Sequence, residues 1–386
     1  MNNLRAAIAG VGFMGPTHTQ ALRRLGIDVV GLLGISEEEG RTAAQRLNVP
    51  RFYKSLDELI GDAAVDVVHI CTPNYLHYPM AKAALQAGKH VLVEKPLATS
   101  SRESAELEAL SRMVGRAAAV DYNLRFYPLC QDARARVQAG LLGDVWLIHG
   151  SYLQDWLYLP TDWNWRLEPE LGGSLRAVAD IGTHWLDMVT WISGQRVTAV
   201  LADFSTCLPT RQKPRREVET FASKFAQAGD ADEMPIHTED YATVLLRFAN
   251  GAHGTMTVSQ VSAGRKNRLW YEIDGSRSSL AWDSEMPNQL WLGHRESPNE
   301  LMIKDPALML PGARATAAFP GGHAEGYPDT FVQMFKAFYS YIAAGDMAAP
   351  RAFPTFEDGH AEIVLCDAIA ASACDGRWVS VDAAAR

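Results

Sequence analysis

Three sets of residues in this chain have the types and spacing to do chemistry. Lys95 ends the apolar run His90-Val91-Leu92-Val93-Glu94-Lys95. A lysine at a buried strand terminus is costly unless an anionic or reacting group uses it. Asp180 and His184 stand four apart in Asp180-Ile181-Gly182-Thr183-His184, so on a helix they share one side. A carboxylate beside an imidazole orients the ring and stabilises its protonated form, which suits a general base. Taken alone, Asp180 reads more readily as a helix cap and His184 as a satisfied interior histidine; Lys95 and the cofactor fold shift the reading toward chemistry. The third set, Gly10-Val11-Gly12-Phe13-Met14-Gly15, follows the apolar run Leu4–Ala9. A strand feeding such a turn and then a helix is the fingerprint of a dinucleotide-binding βαβ unit. Gly10 serves the tight turn, Gly12 a close backbone approach to pyrophosphate, and Gly15 helix–strand packing. The helix expected from about His18 to Leu25 aims its free N–H groups at the phosphates.

The elements that must position these residues follow from the pattern. Up to about residue 123, strands alternate with helices as in a doubly wound parallel sheet: Val29–Leu33, Val65–Cys71, His90–Lys95 and Ala117–Tyr122, with a helix over Tyr78–Ala87 closed by Gly88. Ligands of such sheets bind outside the carboxyl ends of the strands. Thr72-Pro73-Asn74 with His77, Glu94-Lys95-Pro96 and Asp121-Tyr122-Asn123 are placed there. The pattern then changes to a helix (Leu129–Ala139), a strand (Trp146–Tyr152) and a helix from near Ile181. Later strands are spaced as an antiparallel meander, with hairpins turning at Asn250-Gly251 and Gly275-Ser276. Helices over Thr330–Ala344 and Thr355–Ala371 close the chain. Residues 205–240, with the basic knot Arg211-Gln212-Lys213-Pro214-Arg215-Arg216, and the Pro- and Gly-rich 286–328 read as loose solvated segments.

At 386 residues two domains are expected, 1–123 for a dinucleotide and 124–386 as the second. A hydrophobic fraction of 47% with 21% charged residues describes a globular chain, and the net charge of −9 gives no footprint for nucleic acid. No apolar run reaches membrane-spanning length and no signal peptide is evident, so a cytoplasmic protein is expected. Five scattered cysteines without C-x-x-C spacing imply neither disulfides nor a metal.

Gly10-x-Gly12-x-x-Gly15, Thr72-Pro73-Asn74-x-x-His77, Gly88-Lys89-His90-Val91-x-x-Glu94-Lys95-Pro96-Leu97 and Asp180-x-Gly182-Thr183-His184 together resemble the glucose–fructose oxidoreductase/inositol dehydrogenase/MocA-like (Gfo/Idh/MocA) family. The resemblance runs from residue 4 to about 340. It implies a Rossmann domain followed by an α+β domain with a large, mostly antiparallel sheet. It also implies NAD- or NADP-dependent oxidation of a secondary alcohol of a sugar, glycoside or polyol, and homodimers or homotetramers built through that sheet. Carried over residue by residue, Lys95 lies on the reacting hydroxyl, His184 removes its proton, and Asp180 orients both substrate and His184. Gly10, Gly12, Phe13, Met14, Gly15, Ser36, Thr72, Pro73, Asn74, His77, Glu94 and Asn123 would hold the cofactor. Tyr122 and Arg125 match a family stretch and would line the substrate site. Two alternatives stay open: a glycosidase that uses transient oxidation by a retained nicotinamide, and a non-catalytic dinucleotide and sugar sensor.

One departure concerns the second strand. Where an acidic residue normally accepts hydrogen bonds from the adenosine ribose, this chain has Gly34-Ile35-Ser36, followed by Glu37, Glu38 and Glu39. Absence of the carboxylate admits a 2′-phosphate, with Ser36 as donor and Arg41 one turn further, while the glutamates oppose it; NAD versus NADP stays open. Six of the ten tryptophans fall between Trp146 and Trp191. Trp146, Trp185 and Trp191 read as core. Trp156, Trp163 and Trp165 lie in an aperiodic loop that suits a sugar or cofactor pocket, with Trp156 toward substrate, Trp163 toward cofactor, and Arg166 reaching one or the other. Arg176, just before Asp180, and His323 and Tyr327, before the penultimate helix, are further candidates for substrate contacts.

Overall fold

The alternation in the first third builds six parallel strands: β1 (Arg5–Ala9), β2 (Asp28–Leu33), β3 (Phe52–Tyr53), β4 (Val67–Ile70), β5 (His90–Val93) and β6 (Ala118–Val120). Their order is β3-β2-β1-β4-β5-β6, so the direction of winding reverses between β1 and β4 and opens a crevice at their carboxyl ends. β4 and β5 are buried throughout, as strands covered on both faces require. The computed structural model describes residues 4–215 and 230–381. Its first unit joins residues up to Asn123 with Glu168–Gly173 and Phe331–Ile363; the second holds Leu124–Leu167, Ser174–Thr330 and the remainder from Val364. Two segments beyond the expected boundary at 123 thus group with the first unit.

The helix after the glycine turn, α1 (Met14–Arg24), starts four residues before the expected His18. Pro16 falls in its first turn, where a missing N–H costs nothing, so nothing delays the helix. α2 (Glu37–Leu47) is capped by Ser36, whose hydroxyl accepts from Glu39 N.

The second unit is built on β7 (Val145–Leu153), β8 (Val197–Ser205), β9 (Thr210–Pro214), β10 (Ala231–Pro235), β11 (Tyr241–Phe248), β12 (His253–Ser259), β13 (Arg268–Gly275), β14 (Ser279–Asp283), β15 (Gln289–Gly293), β16 (Glu300–Ile303) and β17 (Val379–Ser380). Nine of them form one sheet, β16-β15-β14-β13-β7-β12-β11-β8-β17, antiparallel except where β7 runs parallel to β12. β9 and β10 pair separately. Along β11, Ala242, Val244, Leu246 and Phe248 turn to a core shared with the helices Pro128–Gln138 and Thr183–Ser193, while Leu245 faces outward.

Three sequence expectations fail here for physical reasons. Trp146 is not core: it is 62% exposed, with Leu147 beside it also exposed. The register between β13 and β7 slips at this point, pairing Asp274 with Leu147 but Gly275 with Val145. The extra residue breaks the alternation and leaves two large side chains outside. Nor is the 205–240 segment wholly solvated. Arg211 on β9 is buried, donating to Leu157 O at 2.7 Å and to Asp240 Oδ1 at 2.9 Å; Arg216 of the basic knot lies outside the described residues. Residues 286–328 contain β15 and β16 and are anchored by a buried pair, Lys304 Nζ to Glu325 Oε2 at 2.6 Å. Lys304 Nζ also donates to Phe319 O, and Ala318 N donates to Glu325 Oε1 at 2.8 Å.

Breaking that pair from one side should be expensive. Lys304→Met leaves Glu325 buried without its cation and should cost about 3–5 kcal/mol in urea unfolding. A loss of about 1 kcal/mol or less, the worth of an exposed pair, would show that the segment opens readily to water.

Candidate active site

In the first unit the glycine turn has the shape of a phosphate cradle. Gly10 adopts φ +97°, and a Cβ there would lie 2.4 Å from Cys71 O, so the ends of β1 and β4 approach closer than any side chain allows. A Cβ on Gly15 would meet Gly10 O at 2.3 Å, which fixes how closely α1 lies on the turn. At Gly12 nothing lies within 4 Å, leaving backbone open to a ligand. Phe13 precedes α1 without a side-chain cap, and α1 has no acidic residue in its first turn. Uncapped N–H groups on open glycine backbone fit a pyrophosphate. Phe13 is 48% exposed at the mouth of this turn, with Met14 beside it.

Around the cradle, several polar residues expected to touch the cofactor hold its walls. Thr72 Oγ1 donates to Met80 Sδ; Asn74 Nδ2 donates to Gly172 O at 2.8 Å. The His77 ring faces Pro96 O at 2.7 Å and Thr72 O at 2.9 Å, stapling the turn after β4, through Pro73, to the turn that carries Lys95. Burial pushes His77 below the usual imidazole range, so the ring carries one N–H and donates to one of the two carbonyls while packing against the other. Tyr122 is fully buried in the sheet's core, and Asn123 is buried at the first residue of a short 3-10 turn.

Beneath Lys95 lies a cluster that sequence reasoning missed. His18 faces inward from α1 with Nε2 3.0 Å from Glu94 Oε1 and 3.0 Å from Asp121 Oδ2, and Nδ1 3.0 Å from His69 Nδ1. His69 Nε2 in turn faces Tyr339 Oη at 2.9 Å, and Glu94 Oε2 accepts from Lys95 N at 3.2 Å. Burial disfavours the His18 charge, but Cys71 and hydrogen bonds to Asp121, Cys71 and Glu94 outweigh it and raise its pKa well above 6.5. Burial and the His18 charge keep His69 neutral. Both proton positions then agree: His18 donates from both nitrogens, and His69 accepts at Nδ1 and donates from Nε2 to Tyr339. Burial, and next the Glu94 charge, push Asp121 up to about 7. The spacing of the buried α1 residues Gly15, His18, Thr19 and Leu22 was the available signal for an inward His18.

The second unit assembles its own group. A π-helical turn, Val178–Gly182, leads directly into the helix Thr183–Ser193. Such turns concentrate at functional sites, and this one carries Asp180. Its start is anchored by the buried Glu239, whose Oε1 accepts from Arg176 N and Val178 N, both at 2.9 Å. Asp180 is clamped by two donors: Arg166 Nε to Oδ1 at 3.1 Å and Gln260 Nε2 to Oδ2 at 2.8 Å. His184 follows one turn later, 8% exposed, its ring tilted against Tyr152 with centroids 6.2 Å apart.

Arg176 is not placed for substrate. It is buried, with Nη1 donating to Gln260 Oε1 at 3.1 Å, Nε to Thr238 Oγ1, and Nη2 paired with Asp240. Its guanidinium is linked to Asp180 through Gln260, which lies too far along the chain for periodicity to reveal. The aromatic loop also differs from a sugar platform. Trp156 and Trp163 pack with Leu157, Leu167 and Ile236 as a small separate core, and Trp165 carries the Arg166 guanidinium 4.3 Å from its ring centre. Trp165 thus sets the direction of Arg166. Arg125 pairs with Asp187 (Nε to Oδ2, 2.8 Å) and lies over Trp191. His323 is on an exposed loop with Nδ1 facing Gly321 O at 3.3 Å, and Tyr327 opens a helix and packs on the sheet's core.

Comparison with known proteins agrees with this geometry. Residues 4–122 match the oxidoreductase family with an NAD-binding Rossmann fold, and residues 130–281 match the GFO/IDH/MocA C-terminal domain. Levoglucosan dehydrogenase of Pseudarthrobacter phenanthrenivorans is 29% identical over 99% of both chains. A levoglucosan dehydrogenase solved in complex with NADH and L-sorbose superposes with a TM-score of 0.88, at 28% identity and 99% coverage of both chains. An inositol dehydrogenase homologue from Azotobacter vinelandii, solved with NAD+, has a TM-score of 0.85 at 25% identity, over 98% of this chain and 97% of that one.

The His18 cluster has a measurable pH signature. Asp121 has a higher pKa folded than unfolded, so its contribution is fully present below about 3.8 and is lost as pH rises to about 7. Asp121→Asn, uncharged throughout, escapes that loss. In urea unfolding the variant should gain on the wild type from about pH 4 to about 7 and hold a constant gap above. A gap independent of pH across that window would show that Asp121 is ionised in the folded protein.

Proposed function

The chain belongs to the Gfo/Idh/MocA oxidoreductase family, and from that premise we propose that it is a nicotinamide-dependent dehydrogenase acting on a secondary alcohol of a sugar, glycoside or polyol. The observation that carries the reading is the clamp on Asp180, one turn before His184: a carboxylate oriented by Arg166 and Gln260 is built to serve its neighbours on that turn. When bound, the nicotinamide supplies the hydride acceptor. Loss of hydride from carbon yields a carbonyl only if the hydroxyl proton has somewhere to go, and His184 receives it. Lys95 donates to the same oxygen and favours its developing negative charge. Asp180 orients the substrate and His184. The names of the relatives put anhydrosugars and inositols first among the substrates to try.

The test is growth of absorbance at the reduced-nicotinamide band with NAD or NADP and a panel of levoglucosan, other sugars, inositols and glycosides. Growth with one of them is expected. A flat trace across the panel from protein that binds the dinucleotide would overturn the dehydrogenase in favour of a glycosidase or a sensor. Lys95→Ala and His184→Ala should each lower kcat by about 10²–10⁴-fold while NADH binding persists. Unchanged turnover in either variant removes that residue from the mechanism.

The outward face of the nine-stranded sheet is assigned to a second copy of the chain, in a homodimer or homotetramer. Its exposed Trp146, Leu147 and Leu245 support this. Light scattering should give a multiple of the chain mass for the wild type and a smaller particle for Trp146→Glu; a monomeric wild type would overturn the assignment.

A further inference from the structure

The end of β2 lacks the carboxylate that a dinucleotide site uses to choose its cofactor, yet the structure puts one there. Gly10 N donates to Leu33 O at 2.8 Å, and β1 pairs with β2 through Ala9 and Leu33, so Gly34 leaves the sheet beside the glycine turn. Glu39, in the first turn of α2, folds its side chain back onto this end. Its Oε2 accepts from Ile35 N at 2.7 Å, and a Cβ on Gly34 would lie 2.9 Å from that same oxygen. Such a Cβ would also lie 2.7 Å from Gly40 N, so position 34 admits no side chain and the Glu39 carboxylate lies against it. Its second oxygen, Oε1, has no hydrogen-bond partner among the described residues, and Glu39 is exposed. The neighbouring groups do not offer a phosphate site in its place. Ser36 Oγ is engaged with Glu39 N, Glu37 pairs with Lys54, and Arg41 lines a groove with Asn48 and Arg51 towards the other end of α2.

We propose that Glu39 is the cofactor-selecting acid of this chain: it accepts from the adenosine ribose hydroxyls of NAD and repels the 2′-phosphate of NADP. The inference rests on reading the glycine turn as a dinucleotide site. A helix-capping role alone would also turn Glu39 toward Ile35 N, so the test separates charge from hydrogen bonding. Glu39→Gln keeps an acceptor for Ile35 N–H and removes the charge; Glu38→Gln removes an adjacent charge as a control.

Binding of NADH and of NADPH is measured by calorimetry on the full chain and on both variants, with no substrate present. NADH is expected to bind more tightly than NADPH to the wild type. Glu39→Gln should narrow that preference by about tenfold, chiefly through tighter NADPH, the scale of one like-charge contact near a protein surface. Glu38→Gln should leave the preference in place, and a melting temperature for Glu39→Gln equal to the wild type would show the cap intact. A wild type that binds NADPH as well as NADH, or a preference unmoved by Glu39→Gln, would overturn the assignment while leaving the dinucleotide site standing. Failure of the wild type to bind either would overturn the site itself, and this role with it.

Discussion

The imidazolium of His18 is the interaction on which the functional edge of the first unit depends. One buried cation on α1 reaches Glu94 after β5, Asp121 after β6 and His69 within β4, so three adjacent strands are tied to the helix that follows the glycine turn. A charge buried this deeply is stable only with partners on several sides, and that requirement fixes the strand ends relative to the cradle. Glu94 transmits the constraint, because its second oxygen accepts from the backbone N–H of Lys95. The group assigned to the reacting oxygen is thereby held through its own main chain. His77 completes the frame by bridging Thr72 O and Pro96 O.

The second unit meets the same need with a different device. Asp180 sits on a π-turn, whose wider winding disturbs the regular helical ladder. Glu239 supplies acceptors for the N–H groups at its start, and the line Asp240–Arg176–Gln260 ends on one carboxylate oxygen while Arg166 takes the other. Arg166 itself is directed by Trp165.

Residues whose role is set by local backbone were legible in the sequence. Gly10, Gly12 and Gly15 follow a strand and open a helix, and the structure gives each the close approach or open space its place requires. Strand existence was legible for the same reason, since apolar runs between turns have few other uses. What the sequence withheld depends on partners distant along the chain. Gln260 meets Asp180 only because β12 ends beside the π-turn, and Arg211 is buried only because Asp240 and the carbonyls of the aromatic loop receive it. Trp146 escaped because a one-residue slip in register reverses the side a residue faces, and apolar composition carries no mark of a bulge.

Glu39 shows the same limit from the other direction. Reading a site by position treats a glycine at the end of β2 as an absent carboxylate. Physical recognition depends on which group fills the volume, whatever backbone carries it. A glycine with a glutamate five residues later can still place a carboxylate beside that strand end, provided the intervening residues turn into a capped helix. Here Ser36 supplies the cap and Ile35 N–H draws the carboxylate back. The three consecutive glutamates are consequently not equivalent: Glu37 is spent on Lys54, while Glu39 is aimed at the edge where β1 and β2 end. Charge in a sequence acquires a direction only when a cap and a turn give it one.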